Sequence, residues 1–264
     1  MIIQLKNISF SYEENQSETS FAIKDLNVNI NTSDFITIMG PNGSGKSTLL
    51  KLIANLLIPD KGEIFLESKL YSLYKRKEFA KKISFVPQIS KILFPYSVYE
   101  IVMMGRTPHF SFYGIENESD HLKVMETLEM LKIDHLRNKG INEVSGGEAQ
   151  RALIARALVQ EPKIMLLDEP NAHLDIKHQV GIFNILRELN LDFNLTVILI
   201  SHDLNLANFF SKRIVLMQKG EIRFDSIPNE ALTEDNIRSI FGIKSSIINK
   251  QNSEENYIKI IPKL

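Results

Sequence analysis

A glycine-rich segment that contains a lysine carries the clearest sign of chemistry in this sequence. Residues 40–48 follow directly on the apolar run at 35–39. Glycines let backbone N–H groups turn inward around a phosphate without Cβ clashes, and a helix that follows adds the positive end of its dipole. The residues of this predicted phosphate loop are Gly40, Pro41, Asn42, Gly43, Ser44, Gly45, Lys46, Ser47 and Thr48. Because Lys46 can contact the β and γ phosphates and Ser47 can hold Mg²⁺, the sequence predicts a nucleotide site.

Two adjacent carboxylates follow the apolar run at 164–167. Neighbouring side chains on a strand point to opposite sides, so Asp168 and Glu169 can serve different tasks. Asp168 fits the ligand shell of Mg²⁺, and Glu169 fits a base that polarises the water attacking the γ phosphate. Taken alone, an Asp-Glu pair at a strand end is more often simply solvated. Because a phosphate loop lies upstream, the sequence favours the catalytic interpretation.

The segment Ser145-Gly146-Gly147-Glu148 precedes a helical pattern at 149–159 and has two interpretations. Serine and glutamate at this spacing form a capping box at a helix start. A cap does not require the glycines, which each cost up to about 1 kcal/mol inside a helix. Glycines would expose backbone N–H groups at the positive end of the helix, which favours a second anion site. Two phosphate sites in one chain indicate a composite site that a second copy completes.

Hydrophobic patterns indicate the strands that must position these residues. Apolar and polar residues alternate at 8–12 and 26–31, which predicts half-buried antiparallel strands near the N-terminus. Short continuous apolar runs instead predict parallel strands that are covered on both faces. These runs lie at 35–39, 164–167 and 197–200. The sequence thus predicts a mainly parallel central sheet with an antiparallel region before it.

Helical patterns lie between the apolar runs. Periodicities at 49–57 and 149–159 predict βα units wound around the central sheet. Residues 214–217 and 221–224 flank a Lys-Gly pair and predict a late β-hairpin. The chain is therefore expected to belong to the α/β class.

Residues 89–143 interrupt this alternation and predict an inserted helical region. Helical patterns near 97–104 and 119–132 occur there without a convincing strand. The region is rich in aromatic side chains, which are Phe94, Tyr96, Tyr99, Phe110, Phe112 and Tyr113. Two interpretations stay open: the aromatics form the core of the helical region, or several of them are exposed to contact a partner.

Composition excludes several classes of site and partner. The chain of 264 residues is 44% hydrophobic, enough for a buried core, and its net charge of -1 argues against nucleic acid as a main ligand. It contains no cysteine, which excludes disulfides and thiolate metal sites, and its histidines lack the spacing of a zinc site. No apolar run reaches the roughly 18 residues that span a bilayer. The N-terminus lacks the layout of a signal peptide, so we expect the protein to stay in the cytoplasm.

Together these motifs resemble the nucleotide-binding subunit of an ATP-binding-cassette (ABC) transporter over nearly the whole chain. The family signature, usually Leu-Ser-Gly-Gly-Gln, appears here as Val144-Ser145-Gly146-Gly147-Glu148. The resemblance implies an α/β P-loop NTPase (RecA-like) core with a mainly parallel central sheet, an N-terminal antiparallel β subdomain and an inserted helical subdomain. It implies one domain, 1–264, in which 1–88 and 144–264 form the ATP-binding core and 89–143 form the helical subdomain.

Four further residues match family positions, and the resemblance alone implies their roles. Tyr12 matches the aromatic that stacks on adenine, with a tyrosine in a strand core as the alternative. Gln88 matches the glutamine that touches Mg²⁺ and signals towards the membrane partner; without the family it would be a turn residue. Asp175 matches the loop that crosses the dimer seam. His202 matches the histidine that contacts the γ phosphate, whereas a lone histidine after a strand is usually a satisfied polar residue.

The resemblance also implies an activity and partners. Members of the family hydrolyse ATP with Mg²⁺ while two copies face each other as a homodimer, each nucleotide lying between the phosphate loop of one copy and the signature of the other. The homodimer binds polytopic permease subunits at the cytoplasmic face of the cell membrane. An extracytoplasmic solute-binding protein takes part indirectly, and nucleic acid is not a partner.

Residues 102–109, Val-Met-Met-Gly-Arg-Thr-Pro-His, are similar to a segment in ATPase subunits of importers for metal chelates such as ferric siderophores, haem and cobalamin. We therefore expect an ATPase that powers the import of a metal chelate. An exporter subunit and a soluble ABC ATPase outside transport are the alternatives. DNA-repair members carry long arms between phosphate loop and signature, and here Thr48 and Val144 lie under 100 residues apart. No residue identifies the solute.

Overall fold

The computed structural model describes residues 1–12, 21–88, 94–111, 114–172, 174–249 and 256–261. The chain divides into two compact units. The first unit consists of Met1–Leu73 and Ile198–Leu264, and the second unit is Tyr74–Val197. Phe112 and Tyr113, two of the aromatics noted in the sequence, lie outside the described residues.

The described residues contain both strands and helices, and from β6 to β9 the strands are separated by helices. The strands of the described residues are β1 (Ile3–Ser11), β2 (Phe21–Ile30), β3 (Phe35–Met39), β4 (Lys61–Leu66), β5 (Lys69–Leu70), β6 (Ile83–Val86), β7 (Ile164–Leu167), β8 (Thr196–Ile200), β9 (Arg213–Gln218), β10 (Glu221–Ser226), β11 (Lys244–Asn249) and β12 (Asn256–Ile261). The α-helices are α1 (Lys46–Ile53), α2 (Arg76–Ala80), α3 (Val98–Met103), α4 (Glu118–Met130), α5 (Gly146–Leu158), α6 (Ile176–Asp192), α7 (Leu204–Phe210), α8 (Pro228–Ala231) and α9 (Glu234–Phe241). Turns of 3₁₀-helix lie at Tyr71–Leu73, Met104–His109, Asp134–Leu136 and Ile141–Glu143.

The N-terminal strands form the predicted antiparallel sheet of the first unit. Its order is β2-β1-β4-β5, and Leu5 of β1 pairs with Val28 of β2. Leu26, Val28 and Ile30 are buried, whereas the asparagines between them are exposed, as the period of a half-buried strand requires. Tyr12 follows the end of β1 and is 60% exposed, so the strand-core alternative for this residue is wrong.

Also in the first unit, β3 leads into the phosphate loop. All of its residues are buried, and it pairs in parallel with β9, which is buried from Ile214 to Met217. β9 and β10 form the predicted hairpin. Because a buried strand cannot shift without disturbing the core on both of its faces, the loop at its carboxyl end has a fixed starting point.

The helix after the phosphate loop begins earlier and ends earlier than predicted. α1 spans Lys46–Ile53 rather than 49–57. It begins within the motif because Gly45, with a φ of 98°, is its N-cap, which puts Lys46 in the first turn. It ends early because Asn55 takes a left-handed φ of 56°, which turns the chain out of the helix.

The C-terminal residues form a hairpin that the sequence patterns did not reveal. β11 and β12 pair in antiparallel fashion, and Ile258 of β12 joins a buried cluster of the first unit. Asn205 of α7 binds both backbone groups of Ile258: its Nδ2 donates to the carbonyl oxygen at 3.2 Å, and its Oδ1 accepts from the N–H at 2.8 Å. The side-chain amide acts here like a neighbouring strand, which fixes β12 to α7.

In the second unit, β6 and β7 form a parallel pair that leads to the two adjacent carboxylates. Ile83 pairs with Ile164 and Val86 with Leu167, and every residue of β7 is buried. The N–H of Asp168 donates to the Val86 carbonyl at 2.9 Å. The predicted buried strand at 164–167 is thus confirmed. One further backbone hydrogen bond extends its pairing with β6 to Asp168.

The predicted helical segments near 97–104 and 119–132 are confirmed as α3 and α4. Aliphatic residues such as Val98, Val102 and Leu128 fill the core of this region. Its described aromatics are not buried, which makes the core interpretation wrong for Phe94, Tyr96, Tyr99 and Phe110. No helix among the described residues is long and apolar enough to cross a membrane.

Candidate functional site

The loop between β3 and α1 has the backbone shape of a phosphate cradle. Gly40, Gly43 and Gly45 have φ values of 153°, 75° and 98°, which L side chains rarely adopt. At Gly40 a Cβ would also lie 2.1 Å from the carbonyl oxygen of Met217 in β9. Because a backbone carbonyl of a buried strand cannot move aside, Gly40 is required by its conformation and by its neighbour.

Lys46 lies across this loop. Its Nζ donates to the carbonyl oxygens of Gly40 and Pro41, both at 3.0 Å, and the residue is only 6% exposed. Carbonyl oxygens carry a partial charge, so the oxygens of a phosphate are a stronger partner for an ammonium group. The loop therefore holds a positive charge where a triphosphate would enter.

Ser44 gives an independent reason to expect a ligand in the loop. It is 2% exposed, and its hydroxyl has no hydrogen-bond partner among the described residues. A buried polar atom without a partner costs about 1–3 kcal/mol, which a ligand group could recover. α1 follows with Gly45 as its N-cap and no side-chain cap, so the loop and the helix start together suit an anion.

Tyr12 lies beside the same helix. Its hydroxyl is 3.1 Å from Oγ1 of Thr48, and its ring packs edge-on against Phe10 with centroids 4.9 Å apart. Both contacts orient the ring while 60% of the residue stays exposed. An exposed and oriented aromatic face next to a phosphate loop can stack on a base.

His202 reaches the loop through a cavity. The cavity has a volume of about 560 Å³ and lies within the first unit. Its lining residues are Gly40, Pro41, Asn42, His202, Asp203, Leu204, Asn205, Phe241, Ile243, Ile258 and Ile260. The structure thus brings together the loop and the histidine, two parts that lie far apart in the sequence.

Gln88 and Glu169 meet in the second unit. Nε2 of Gln88 donates to Oε2 of Glu169 at 3.0 Å, although 81 residues separate them. Glu169 has a left-handed φ of 48°, which costs about 1–3 kcal/mol and is typical of functional sites. Both carboxylates follow the end of β7, Asp168 buried and Glu169 half-buried. The two carboxylates therefore differ in burial, and the backbone of Glu169 has the unusual φ.

The signature turn forms the capping box that the sequence predicts as one of two interpretations. α5 begins at Gly146, before the predicted start at 149, because Ser145 is its N-cap. The carboxylate of Glu148 accepts from the Ser145 hydroxyl at 2.7 Å and from its N–H at 2.8 Å. These two bonds lower the pKa of Glu148 below its ordinary value. Gly146 and Gly147 occupy the first turn of the helix.

Asp175 is the N-cap of α6. Its carboxylate accepts from the backbone N–H of His178 at 2.9 Å and also contacts the His178 ring, and these bonds lower the pKa of Asp175. The side chain of Asp175 is still 65% exposed, so one face of the carboxylate is open to solvent.

Oxygen atoms dominate the residues that could hold Mg²⁺. Ser47, Gln88 and Asp168 offer a hydroxyl, an amide oxygen and a carboxylate, which are ligands that Mg²⁺ prefers. Within the described ranges, no group of three or more His, Cys, Asp or Glu side chains is arranged to hold a metal ion. Each of the three is the kind of oxygen donor that suits a cation bound together with a nucleotide, because Mg²⁺ then takes its other ligands from phosphates and water.

Sequence reasoning missed two groups of residues near the site. Asn205, Phe241 and two isoleucines of β12 line the cavity of His202, and the alternation in β12 was the available signal for a strand there. His178 contacts Asp175, and the Asp-x-x-His spacing at a helix start was its available signal. Residue 173, in the segment that leads to Asp175, lies outside the described residues.

Comparison with known proteins agrees with this geometry. A family model described as ABC transporter matches residues 23–172. The petrobactin import ATP-binding protein FpuC of Bacillus anthracis is 34% identical over 256 residues, which cover 97% of this chain and 92% of that protein.

Solved structures are similar over most or all of the chain. A metal-chelate type ABC transporter in an inward-facing conformation superposes with a TM-score of 0.85 at 30% identity, covering 100% of this chain and 98% of that one. A dimeric ATP-binding cassette in a post-hydrolysis state with ADP and Pi has a TM-score of 0.73 at 33% identity, covering 86% and 99%. The expected P-loop NTPase fold is confirmed, and the chain belongs to the ABC transporter family as an ATP-binding subunit that hydrolyses ATP.

Proposed function

We propose that this chain is the ATPase subunit of an importer for metal chelates, and that it acts as a homodimer on a membrane permease. The observation that carries the proposal is the phosphate loop, in which Lys46 bridges the Gly40 and Pro41 carbonyls beside the cavity that His202 lines. The petrobactin import protein and the metal-chelate type transporter support the class of solute, because each matches nearly the whole chain.

ATP binding is assigned to the loop and its surroundings. The exposed ring of Tyr12 stacks on adenine, and Lys46 with the loop N–H groups binds the β and γ phosphates. Ser47, Gln88 and Asp168 would hold Mg²⁺, which would neutralise charge on the phosphate oxygens. The buried hydroxyl of Ser44 gains a partner when the nucleotide enters.

Hydrolysis is assigned to Glu169 and His202. Glu169 takes the proton of the attacking water, and its bond from Gln88 fixes the direction of the carboxylate. His202 contacts the γ phosphate from the cavity beside Pro41 and Asn42. Since Gln88 binds the proposed base Glu169, a movement of Gln88 would alter hydrolysis.

A second copy completes each site. Ser145, Gly146, Gly147 and Glu148 of one copy, together with its Asp175, face the nucleotide that the other copy holds. ATP then joins the copies, and loss of the γ phosphate separates them. The dimeric cassette with ADP and Pi supports the assembly of two copies.

The permease is assigned to the helical region of the second unit. A surface cavity of about 320 Å³ opens there beside the exposed Phe94, and its chemistry is mixed aromatic, thioether and acidic. It is lined by Tyr96, Tyr99, Glu100, Met103, Met104, Thr107, Phe110 and Glu116. Adaptable methionines with aromatic walls suit an apolar helix face, and the two glutamates suit a basic residue at its edge. The dimer therefore lies at the cytoplasmic face of the membrane, with a solute-binding protein on the other side of the permease.

Capture from native membranes tests the proposal. The tagged full chain is purified in mild detergent, and co-purifying proteins are identified at stoichiometric level. A polytopic membrane protein that carries a metal chelate is the expected partner, whereas a soluble or ribosomal partner would overturn the assignment to transport.

A cavity variant provides the matched control for that capture. Replacing Tyr96 and Met104 by aspartate should remove the membrane partner, because both line the proposed permease cavity. Retained capture by this variant would show that the permease binds elsewhere. Nucleotide binding by the variant is measured in parallel, since neither residue belongs to the phosphate loop.

A further inference from the structure

His178 has no role in the mechanism above, yet it contacts two segments that do. It lies in the first turn of α6, and 33% of its side chain is exposed. Its Nδ1 is 2.9 Å from each carboxylate oxygen of Asp175. An ionised carboxylate only accepts hydrogen bonds, so Nδ1 carries a proton and donates it to Asp175.

The same ring lies against the signature turn. A Cβ on Gly147 would be 2.2 Å from Cδ2, 2.6 Å from Cγ and 2.9 Å from Nε2 of His178. Three atoms of one rigid ring therefore occupy the space that any other residue needs at this position. Gly147 belongs to α5 and has no positive φ, so its backbone conformation does not require glycine. The imidazole of His178 is what requires it.

A second contact joins the same two helix starts. A Cβ on Gly146 would be 3.4 Å from Cδ2 of Leu174, and Nε2 of Gln179 holds the Leu174 carbonyl at 2.8 Å. The two glycines of the signature thus lie against Leu174 and His178. The signature turn and the segment Leu174-Asp175, which we call the Asp175 loop, are therefore packed together within a single copy.

We propose that His178 is a positioning residue for ATP-driven dimer closure: its imidazole spans Gly147 and Asp175 and holds the signature turn and the Asp175 loop as one surface towards the second copy. The inference rests on the proposed function, in which both segments meet the nucleotide of the other copy. Histidine suits the role because its flat ring fits against a glycine while Nδ1 remains a donor to a carboxylate. Alanine at 178 would leave both segments in place but unlinked.

A double-mutant cycle between Gly147 and His178 tests this. Full-length variants carry Glu169→Gln, and sedimentation velocity with Mg-ATP gives the ATP concentration at half-maximal dimer. Gly147→Ala should raise that concentration about tenfold or more, because the methyl group displaces the ring. His178→Ala should raise it about threefold through the lost bond to Asp175. Adding Gly147→Ala to His178→Ala should have little further effect, because the ring that the methyl would strike is gone.

The conservative variant separates positioning from a general loss of structure. Nδ2 of asparagine can donate to Asp175 in place of Nδ1, so His178→Asn should bring the concentration back to within about twofold of the parent. Thermal unfolding and nucleotide affinity of the monomer are measured for every variant. Both should stay constant across the His178 series, since a positioning role affects only closure.

Two results would count against the inference, and they are distinguishable. If Gly147→Ala is equally harmful with and without His178→Ala, the glycine serves the phosphate directly, and the positioning role alone is overturned. If the Glu169→Gln parent stays monomeric with Mg-ATP, both the proposed function and the positioning role are overturned.

Discussion

The phosphate loop and the signature turn each carry glycines near a helix start, and the two need them for different physical reasons. At the phosphate loop, Gly40 has a φ of 153° and faces the backbone carbonyl of Met217. At the signature turn, Gly147 lies in ordinary helical backbone and faces the side chain of His178. At Gly40 the fold itself fixes the steric clash, because the neighbouring atom belongs to the backbone. At Gly147 the clash depends on a second side chain, so a change at His178 could remove it.

The two helix starts also differ in what already occupies them. α1 begins without a side-chain cap, and Lys46 adds positive charge to the loop before it. α5 begins with Ser145, whose hydroxyl and N–H are already held by the carboxylate of Glu148. The first start is therefore open to an anion in the single chain. At the second, in the proposed dimer, a phosphate held by another copy would approach a turn whose donors Glu148 already engages.

Glu169→Gln has the largest expected effect. Because it should bind ATP without hydrolysing it, it should give the dimer in which the phosphate loop and the signature turn both bind the nucleotide. Without a carboxylate base, turnover should fall about 10² to 10⁴-fold, while ATP binding by the loop persists. Steady-state hydrolysis and sedimentation with Mg-ATP should then show an inactive dimer. Glu188→Gln, at an exposed position of α6, is the control for loss of a carboxylate. Near-normal turnover of the Glu169 variant would refute its role as base.

Alanine at each glycine compares the two helix starts directly. Gly40→Ala should lower the free energy of unfolding by about 3 kcal/mol or more, because it strains φ and strikes a fixed carbonyl. Gly147→Ala should change it by less than about 1 kcal/mol, since alanine favours a helix and the partly exposed ring of His178 can rotate away at the cost of its bond to Asp175. Urea unfolding of both variants measures the difference. Equal losses would show that the signature turn is as rigid as the phosphate loop.

Much of the fold could be predicted because its signals are local. Continuous apolar runs identified β3 and β7, and alternation identified β2. Helix ends were less predictable, since α1 begins at a glycine conformation and α5 at a cap that precede their apolar patterns. The C-terminal hairpin escaped prediction because its stability comes from distant partners, such as Asn205 with Ile258.

The residues of the candidate site also differ in whether a local sequence pattern could predict them. The phosphate loop could be predicted because its residues are contiguous and their spacing itself fixes the chemistry. The bond between Gln88 and Glu169 joins residues 81 apart, and no local pattern indicates it. The role of His178 was equally hidden, because the ring contacts a glycine on another helix and glycine leaves no side-chain pattern to match.

The smallest predicted effect concerns the carboxylate of Glu148 in the signature turn and the pH dependence of the free energy of unfolding. Because the Ser145 hydroxyl and N–H lower the pKa of Glu148 below its ordinary value, this residue stabilises the fold at pH values above that ordinary pKa. The contribution is lost as pH falls through the lowered pKa.

The Gln side chain in Glu148→Gln can still accept from Ser145 but does not titrate, so wild type should lose stability relative to the variant only in this acidic range. The loss should stay below the roughly 1 kcal/mol of a whole helix cap, because the pair is open to solvent. Urea unfolding at a series of acidic pH values measures it, with Glu188→Gln as control, and a constant difference across that range would mean that the carboxylate does not hold Ser145.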